Sequence, residues 1–312
     1  MTEPSLLHHL DRHPGFPAHP MLRPGVHVCR RSHDELQVGL SPDLAVVLPD
    51  LPEVRAVLAG LQEGRPPGPP ATLSPTVLLT CERLLARGLV VDSDLWCSQL
   101  GGTDAEQAEA RTSVVAEQGL RAAETLERRA STTVALDCSG LTRAAIRLEA
   151  LLAMAALRVG SPAAADLLLV VRRGEPDRAD LDPLLRRDQP HALLTVSEGR
   201  VRVGPFVHPG VTACVRCIDA HRHESDPRHG VVAQQYADAG PSGTCGLPAP
   251  VPADLVDLAV GLLARDISRW ADGDQPRTWS STIDVDPRLR LSRTLWRRHP
   301  GCGCSWAGTV AS

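Results

Sequence analysis

Two pairs of cysteines are the residues whose types and spacing most clearly could do chemistry. Cys214 and Cys217 form a Cys-x-x-Cys motif, and Cys302 and Cys304 form a Cys-x-Cys motif. Thiolates this close in sequence reach the same ion, and two such pairs complete the closed tetrahedron of a structural zinc site. Gly303 tolerates the tight turn between the second pair. The pattern therefore predicts a four-cysteine zinc site that ties two distant segments together and contributes to folding.

Other roles for these thiols are a redox-active pair, unrelated free thiols or a catalytic zinc ion. Four thiolates leave no open coordination position, which disfavours a catalytic metal. His221, His223 and His229 follow the first pair, but their spacing fits no single helix face, so we expect them at the surface or beside the metal ligands. Cys245 lies in a glycine-rich stretch. With no sign of a triad, we expect no catalytic residue in this chain.

The composition disfavours several classes of function. Among 312 residues the net charge is −4 and aromatic residues make up 3%, so we expect neither a nucleic-acid partner nor an anionic membrane surface. All 33 basic residues are arginine, and the chain contains neither lysine nor asparagine, which excludes mechanisms that need those side chains. No signal peptide or membrane-spanning stretch is visible, and nine cysteines without a secretion signal predict a cytoplasmic protein.

The first part of the chain has the pattern of a small α+β module of winged-helix type over residues 22–92, preceded by a flexible lead-in over residues 1–21. Three alternating apolar runs predict an antiparallel three-stranded meander. Two amphipathic helices follow, the second opened by Ser74-Pro75, and a short wing strand ends the module. Residues 93–131 are predicted to be a linker that contains a connecting helix from Ala105 to Arg129.

The second part, residues 132–312, has the pattern of an α/β domain. An apolar strand at Val134–Leu136, an amphipathic helix after Leu141 and a second strand at Leu167–Val171 follow one another. This order implies a right-handed crossover and a parallel pair of strands, as in a doubly wound sheet. Two further strands, a long amphipathic helix and a hairpin turned at Asp286-Pro287 complete the domain.

The cysteine pairs lie in longer runs that resemble a known family, the ThiF-like proteins of ribosomal-peptide (RiPP) gene clusters. The similar runs are Val203-Gly-Pro-Phe-Val-His-Pro-Gly-Val-Thr-Ala-Cys-Val-Arg-Cys-Ile-Asp-Ala-His-Arg222 and Arg298-His-Pro-Gly-Cys-Gly-Cys304. Members of this family are leader-binding partners of YcaO-type, azoline-forming cyclodehydratases. The meander, with Leu36-Gln-Val-Gly-Leu40 and Ala45-Val-Val-Leu-Pro49, resembles their precursor-peptide recognition element. The resemblance implies a winged-helix-like recognition module followed by a degenerate ThiF-like (ubiquitin-activating-enzyme-like, Rossmann-type) α/β domain.

The nucleotide site of the catalytic relatives is not matched. ThiF-type adenylating enzymes hold ATP with a glycine-rich turn after the first strand and with Asn, Arg, Lys and Asp side chains. Here the turn reads Asp137-Cys-Ser-Gly-Leu-Thr142, and Cβ atoms occupy the space where backbone N–H groups would approach phosphate. We therefore expect no ATP, no cofactor-binding residues, zinc as a structural cofactor and a non-catalytic protein.

The resemblance also implies that a leader peptide adds as a strand to the third strand of the meander and lies beside the second helix. A core position is the alternative for several of these residues, and a DNA-binding winged helix is the rival function. Residues 22–92 contain seven arginines and eight acidic residues, which gives no basic face for DNA. The candidate peptide-binding residues are Leu44, Ala45, Val46, Val47, Leu48, Leu78, Cys81, Glu82 and Leu85.

The function predicted from the sequence is to bind the leader of a ribosomally synthesised precursor peptide and to present it to a modifying enzyme of YcaO type. The resemblance also implies a homodimer. Two other classes of function stay open. One is an adenylating enzyme that acts on a peptide, and the other is a winged-helix transcriptional regulator.

Overall fold

The computed structural model describes residues 12–100, 105–240 and 250–304. The chain forms two compact units, Met1–Glu127 (unit 1) and Arg128–Ser312 (unit 2). Within the described residues, no helix combines the length and the apolar character that crossing a bilayer requires. Cys245 lies outside the described residues.

Unit 1 contains the antiparallel meander that the alternating pattern predicts. Three strands pair in the order β2-β3-β4, with Leu36 opposite Leu48 and Val38 opposite Val46. These four side chains point to one face and are buried in the core of the unit. The strands are β2 (Val28–Arg30), β3 (Glu35–Val38) and β4 (Val46–Pro49).

The two predicted amphipathic helices of unit 1, α1 (Pro52–Gln62) and α2 (Pro75–Ala86), are present and pack on this core. Ser74 is the N-cap of α2, where its Oγ accepts a hydrogen bond from the Val77 amide at 3.3 Å. Both helices begin with proline, which costs no hydrogen bond in the first turn.

Two features of unit 1 differ from the sequence prediction. The strand β5 (Val90–Asp92), predicted as a wing, pairs with β1 (Pro20–Leu22) in a separate two-stranded sheet. The flexible lead-in expected over residues 1–21 contains a residue of the core, because Phe16 is 3% exposed and packs there. Residues 1–11 of that lead-in lie outside the described residues.

The predicted connecting helix is divided into shorter pieces. After α3 (Ser93–Leu100), a helix α4 (Ala105–Gln118) is followed by a short 3-10 turn and by α5 (Ala122–Ser131). The break falls at Gly119, whose φ of 58° is in the left-handed region that interrupts an α-helix.

Unit 2 is built on one mixed seven-stranded sheet with the order β12-β11-β10-β9-β8-β6-β7. The neighbouring strands β9, β8, β6 and β7 are parallel, whereas β10, β11 and β12 pair antiparallel, so the predicted α/β class is confirmed. The strands are β6 (Thr133–Ser139), β7 (Arg158–Val159), β8 (Leu167–Arg173), β9 (His191–Ser197), β10 (Arg200–Val207), β11 (Ser281–Val285) and β12 (Leu291–Leu295).

Helices cover both faces of this sheet. The predicted helices α6 (Thr142–Met154) and α10 (Ala253–Ala271) form the larger core on one face. The opposite face is covered by α7 (Arg178–Arg186) and α8 (Val215–Ser225), and a further helix, α9 (His229–Ala239), follows α8. The sequence analysis missed these three helices, because each is at most 11 residues long and buries at most three of them.

Candidate metal centre and peptide-binding edge

The structure brings the four predicted metal ligands of unit 2 together. Cys214 Sγ lies 3.8 Å from Cys217 Sγ and 3.5 Å from Cys302 Sγ, and Cys217 Sγ lies 3.4 Å from Cys304 Sγ. All four sulfur atoms lie within 4.8 Å of one another. The first pair is buried and the second pair is half-buried, so the group is closed on the side of the sheet.

Local backbone structure positions each pair. Cys214 is the N-cap of α8, and its carbonyl accepts from the Cys217 amide at 3.0 Å, which turns both thiols to the same side. Cys302 ends a short 3-10 turn, and Gly303 has a φ of 76°. A residue with a Cβ is strained at that φ, so the prediction that Gly303 permits the tight turn is confirmed.

The chemistry of this group fits a tetrahedral metal ion. Zn–S bonds of ~2.3 Å hold the sulfur atoms of a tetrahedron ~3.8 Å apart, close to the spacing here. The Cys214 thiol donates its proton toward Cys217 Sγ and Cys302 Sγ, and these contacts together with burial raise its pKa. The protein alone therefore disfavours four adjacent thiolates, and a bound cation would supply the missing positive charge. Zinc remains our proposal for that cation.

A second cluster lies beside the cysteines. It consists of His221, Glu224 and His299, whose side chains are joined by hydrogen bonds. His299 Nδ1 accepts from the Gly301 amide at 3.1 Å, so its Nε2 carries the proton and donates to Glu224 Oε1 at 3.0 Å. A protonated Nε2 has no lone pair for a metal. The cluster therefore connects α8 to the segment that carries Cys302.

The other two histidines of interest lie apart from the metal ligands. His223 is exposed on α8, whereas His229 opens α9 and is half-buried. Their spacing fitted no single helix face because α8 ends at Ser225, before His229.

In unit 1, β4 is the outer strand of the meander and one of its edges has no strand partner among the described residues. The Asp50 amide donates to the Asp34 carbonyl at 2.8 Å. Hydrogen-bonded pairs recur every second residue in an antiparallel ladder, so Leu48 and Val46 also point their backbone groups toward β3. The N–H and C=O of Val47 therefore point to the outer edge.

The helix α2 lies beside this outer edge and contacts it through arginines. Arg83 Nη1 donates to the Val47 carbonyl at 3.1 Å, and Arg87 Nη1 donates to the Asp43 carbonyl at 2.5 Å. Leu79 lies one turn before Arg83 on the same helix face and is 46% exposed. The space between α2 and the β4 edge is therefore lined by one apolar and two cationic side chains.

The predicted peptide-binding residues fall into three groups. Val46, Leu48 and Cys81 have buried side chains that lie in the core, which is the alternative position that the sequence analysis allowed for several of these residues. Leu85 packs close to Gly15, and Leu78 lies two turns earlier on the same face, away from β4. Leu44, Ala45 and Val47 are half-buried at the edge strand and its approach, and Glu82 is exposed on α2.

The side chains that face the edge, Leu79, Arg83 and Arg87, were missed by the sequence analysis. Their spacing of four residues is the signal that could have identified them as one helix face. The analysis instead selected apolar residues of α2, and most of those belong to the core or to the opposite flank of the helix.

The turn after β6 in unit 2 has its own side-chain contacts. Gly140 has a φ of 72°, and two arginines at the end of β8 bind the turn. Arg172 Nη1 donates to the Asp137 carbonyl at 2.6 Å, and Arg173 Nε donates to the Gly140 carbonyl at 3.0 Å. The expectation that no nucleotide binds at this turn stays a prediction.

Comparisons with solved structures show which proteins share this fold. No protein-family model matches the chain, and no curated protein matches it either. Among solved structures, a heterocyclase in complex with substrate and cofactor aligns with a TM-score of 0.63 at 16% identity, over 92% of this chain and 39% of that chain. The heterocyclase TruD aligns with a TM-score of 0.62 at 17% identity, over 93% of this chain and 43% of that chain.

A third structure of similar fold is the microcin C7 biosynthetic enzyme MccB of E. coli in complex with N-formylated MccA. It aligns with a TM-score of 0.60 at 12% identity, over 92% of this chain and 99% of that chain. The chain thus has the fold of these proteins and spans about two fifths of the heterocyclases. An alignment over 92% of the chain cannot be confined to one of its two units.

These comparisons contradict one expectation from the sequence. We expected a non-catalytic protein, on the basis of the unmatched nucleotide turn and the missing lysine and asparagine. The solved structures with this fold are heterocyclases and a biosynthetic enzyme, which points to a catalytic protein instead. The expectation failed because it tested the chain against a single nucleotide-binding pattern, and a fold can support chemistry that this pattern does not describe.

Proposed function

We propose that this chain is a catalytic component of a heterocyclase-type enzyme, and that it both binds a ribosomally synthesised precursor peptide and takes part in its modification. The fold of unit 1 and unit 2 together supports this proposal, because the alignments with the heterocyclases cover almost the whole chain. The observation that carries it is the outer edge of β4, which lies beside a helix face suited to a peptide.

The backbone of β4 is arranged to accept one more strand. Val47 directs both its N–H and its C=O outward, and the buried side chains of Val46 and Leu48 hold the strand in place. Pro49 has no N–H, so the outward donors end there and limit the register that an added strand can adopt. Main-chain hydrogen bonds would supply affinity without demanding a particular peptide sequence.

Side chains of α2 would supply the sequence preference. An added strand would run between β4 and α2, where Leu79 offers an apolar contact and Arg83 and Arg87 offer positive charge. A leader with an apolar residue followed by an acidic residue fits this surface best, because arginine forms paired hydrogen bonds with carboxylates.

The remaining part of the heterocyclases lies outside the region that aligns with this chain. The heterocyclases are more than twice as long as the region that aligns here. We propose that a YcaO-type protein supplies that part and that unit 2, with zinc at the four cysteines, belongs to the same assembly. A homodimer of this chain is compatible with this proposal.

Two measurements, made one after the other, test the proposed function. Fluorescence polarisation with a labelled leader, encoded beside this chain, should give micromolar or tighter binding. Incubation of the precursor with this chain, the YcaO-type protein and ATP should then give a product that has lost one water molecule per ring, detected by mass spectrometry. Absence of leader binding by the folded protein, or full modification without this chain, would reject the proposal.

A second candidate function is an adenylating enzyme that acts on a peptide without a partner. The observation that favours it is the alignment over 99% of MccB, which leaves no large part of that enzyme unmatched. Peptide-dependent conversion of ATP to AMP by the purified chain alone would support this candidate. Activity that requires the YcaO-type protein would support the heterocyclase component instead.

A further inference from the structure

A cavity of about 290 Å³ lies in unit 2, apart from the metal centre and from the β4 edge. It opens at the carboxyl end of β9, where the sheet changes from parallel to antiparallel pairing. In open α/β sheets, ligands often bind in the crevice outside the carboxyl ends of the strands. Thr195 and Ser197 of β9, Arg222 of α8, and Val232 and Tyr236 of α9 line this cavity.

Most carboxylates around this cavity are already neutralised by arginines. Arg178 binds Asp219 through two hydrogen bonds of 2.7 and 2.8 Å and also pairs with Glu175 at 2.7 Å. Arg202 pairs with Asp284 at 2.7 Å. These three acidic side chains are therefore committed to cations other than Arg222.

Arg222 is held in place without such a partner. Its guanidinium lies 5.6 Å from the ring centroid of Trp296, and its Nη1 lies 3.4 Å from His229 Nε2. Among the described residues no carboxylate lies within ion-pair distance of it. Burial, and then repulsion by Arg202, lower the pKa of Arg222, which means that its positive charge is poorly stabilised by the protein.

A preoriented cation that lacks a counter-charge, in a cavity with hydroxyl groups, is suited to an anion. We propose that this cavity binds the oxyanion, phosphate or carboxylate, of a small ligand. The guanidinium of Arg222 donates paired hydrogen bonds to the oxyanion, and the hydroxyls of Thr195 and Ser197 donate further ones. The exposed Arg200 at the rim adds positive charge. Val232 and the ring of Tyr236 provide an apolar wall for the rest of the ligand, and the Tyr236 hydroxyl donates at 2.9 Å to Glu198, an exposed carboxylate of the same lining.

This inference is independent of the peptide-binding function proposed for unit 1. Its test uses the zinc-loaded full-length protein and isothermal titration calorimetry with four probes. Inorganic phosphate and AMP represent phosphate ligands, and acetate and acetyl-alanyl-alanine represent carboxylate ligands. We expect saturable binding, at millimolar or lower concentration, of the two phosphate ligands, of the two carboxylate ligands or of both kinds. The pair that binds more tightly identifies the source of the oxyanion.

Two substitutions distinguish this site from general attraction to a basic surface. Arg222→Gln should weaken binding of the better probe about tenfold or more, since a charge-assisted hydrogen-bond pair is lost. Arg228→Gln is the matched control, because Arg228 is exposed next to α9 and does not line the cavity. It should leave binding unchanged.

Three outcomes would overturn the inference. They are failure of all four probes to bind the wild-type protein at millimolar concentration, equal loss of binding in both variants, and unchanged binding in a folded Arg222→Gln variant. If Arg222→Gln fails to fold by circular dichroism, Arg200→Gln and Ser197→Ala replace it. Each of these changes a less buried residue of the same cavity, and unchanged binding in both would likewise reject the site.

Discussion

The proposed metal centre of unit 2 and the proposed peptide-binding edge at β4 of unit 1 would bind their ligands in different ways. The metal centre depends on four thiols whose sulfur atoms lie within 4.8 Å of one another. The β4 edge depends on backbone groups that any strand possesses, and side chains only border it. A change of a single side chain should therefore abolish the first site, whereas the second should respond mainly to changes of the backbone.

The largest expected effect is at the metal centre. Cys217→Ser should remove the metal and prevent stable folding of unit 2, because a structural zinc ion contributes on the order of 10 kcal/mol to folding. Zinc content by plasma emission spectrometry and urea unfolding check this expectation. Cys29→Ser is the control, since Cys29 is an exposed cysteine outside the cluster. A Cys217→Ser protein that keeps one equivalent of zinc and wild-type stability would contradict the assignment.

The difference between the cysteine cluster and the β4 edge also explains which features of the molecule could be predicted from the sequence. The cysteine spacing predicted that these four thiols lie together, because chelation needs particular atoms close together along the chain, and the structure places all four side by side. The period-two pattern likewise predicted the meander and its inward residues Val46 and Leu48. The direction in which α2 presents its side chains depends on how the helix packs, so Arg83 and Leu79 were not identified.

Helices α7, α8 and α9 show the same limit in unit 2. Each of them buries at most three residues, so few apolar positions mark an inward face. Their positions are set by the sheet and by the cysteine cluster rather than by their own pattern. The cavity beside Arg222 was invisible in the sequence for this reason, because it lies between elements that were not predicted.

The next largest effect is a difference in acid stability between the units. Burial lowers the pKa of His191 in unit 2 from 6.5 to about 4. The folded state favours neutral His191, so the full stabilisation is present above about pH 6.5 and is lost as the pH falls toward 4. The maximum loss is ~3 kcal/mol. No histidine is buried among the described residues of unit 1.

Hydrogen exchange at pH 6.5 and at pH 5 measures this difference unit by unit. Amides of β9 should lose protection at the lower pH, while amides of β3 should change little. The His191→Gln variant should flatten the response of β9, with zinc content measured in parallel to exclude metal loss as the cause. An equal response of both proteins would show that His191 does not set the acid sensitivity of unit 2.

A smaller effect is expected at the β4 edge. Val47→Pro removes the outward N–H, so leader binding should weaken about tenfold or more in fluorescence polarisation. The stability of unit 1 should change little, since this N–H does not pair with β3. Val47→Thr keeps both the N–H and the branched side chain and should bind normally. Normal binding by a folded Val47→Pro protein would exclude strand addition at this edge.

The smallest effect is expected for Arg83, whose side chain binds the outer edge of β4. Arg83 donates to the same Val47 carbonyl that an added strand would use. Removing it by Arg83→Ala frees that acceptor, so binding of an uncharged leader should tighten by up to about fivefold, the value of one exposed hydrogen bond. A leader with an acidic residue facing α2 should instead bind more weakly, because it loses its cation. Opposite signs for the two leaders would locate the peptide between β4 and α2, and equal responses would place it elsewhere.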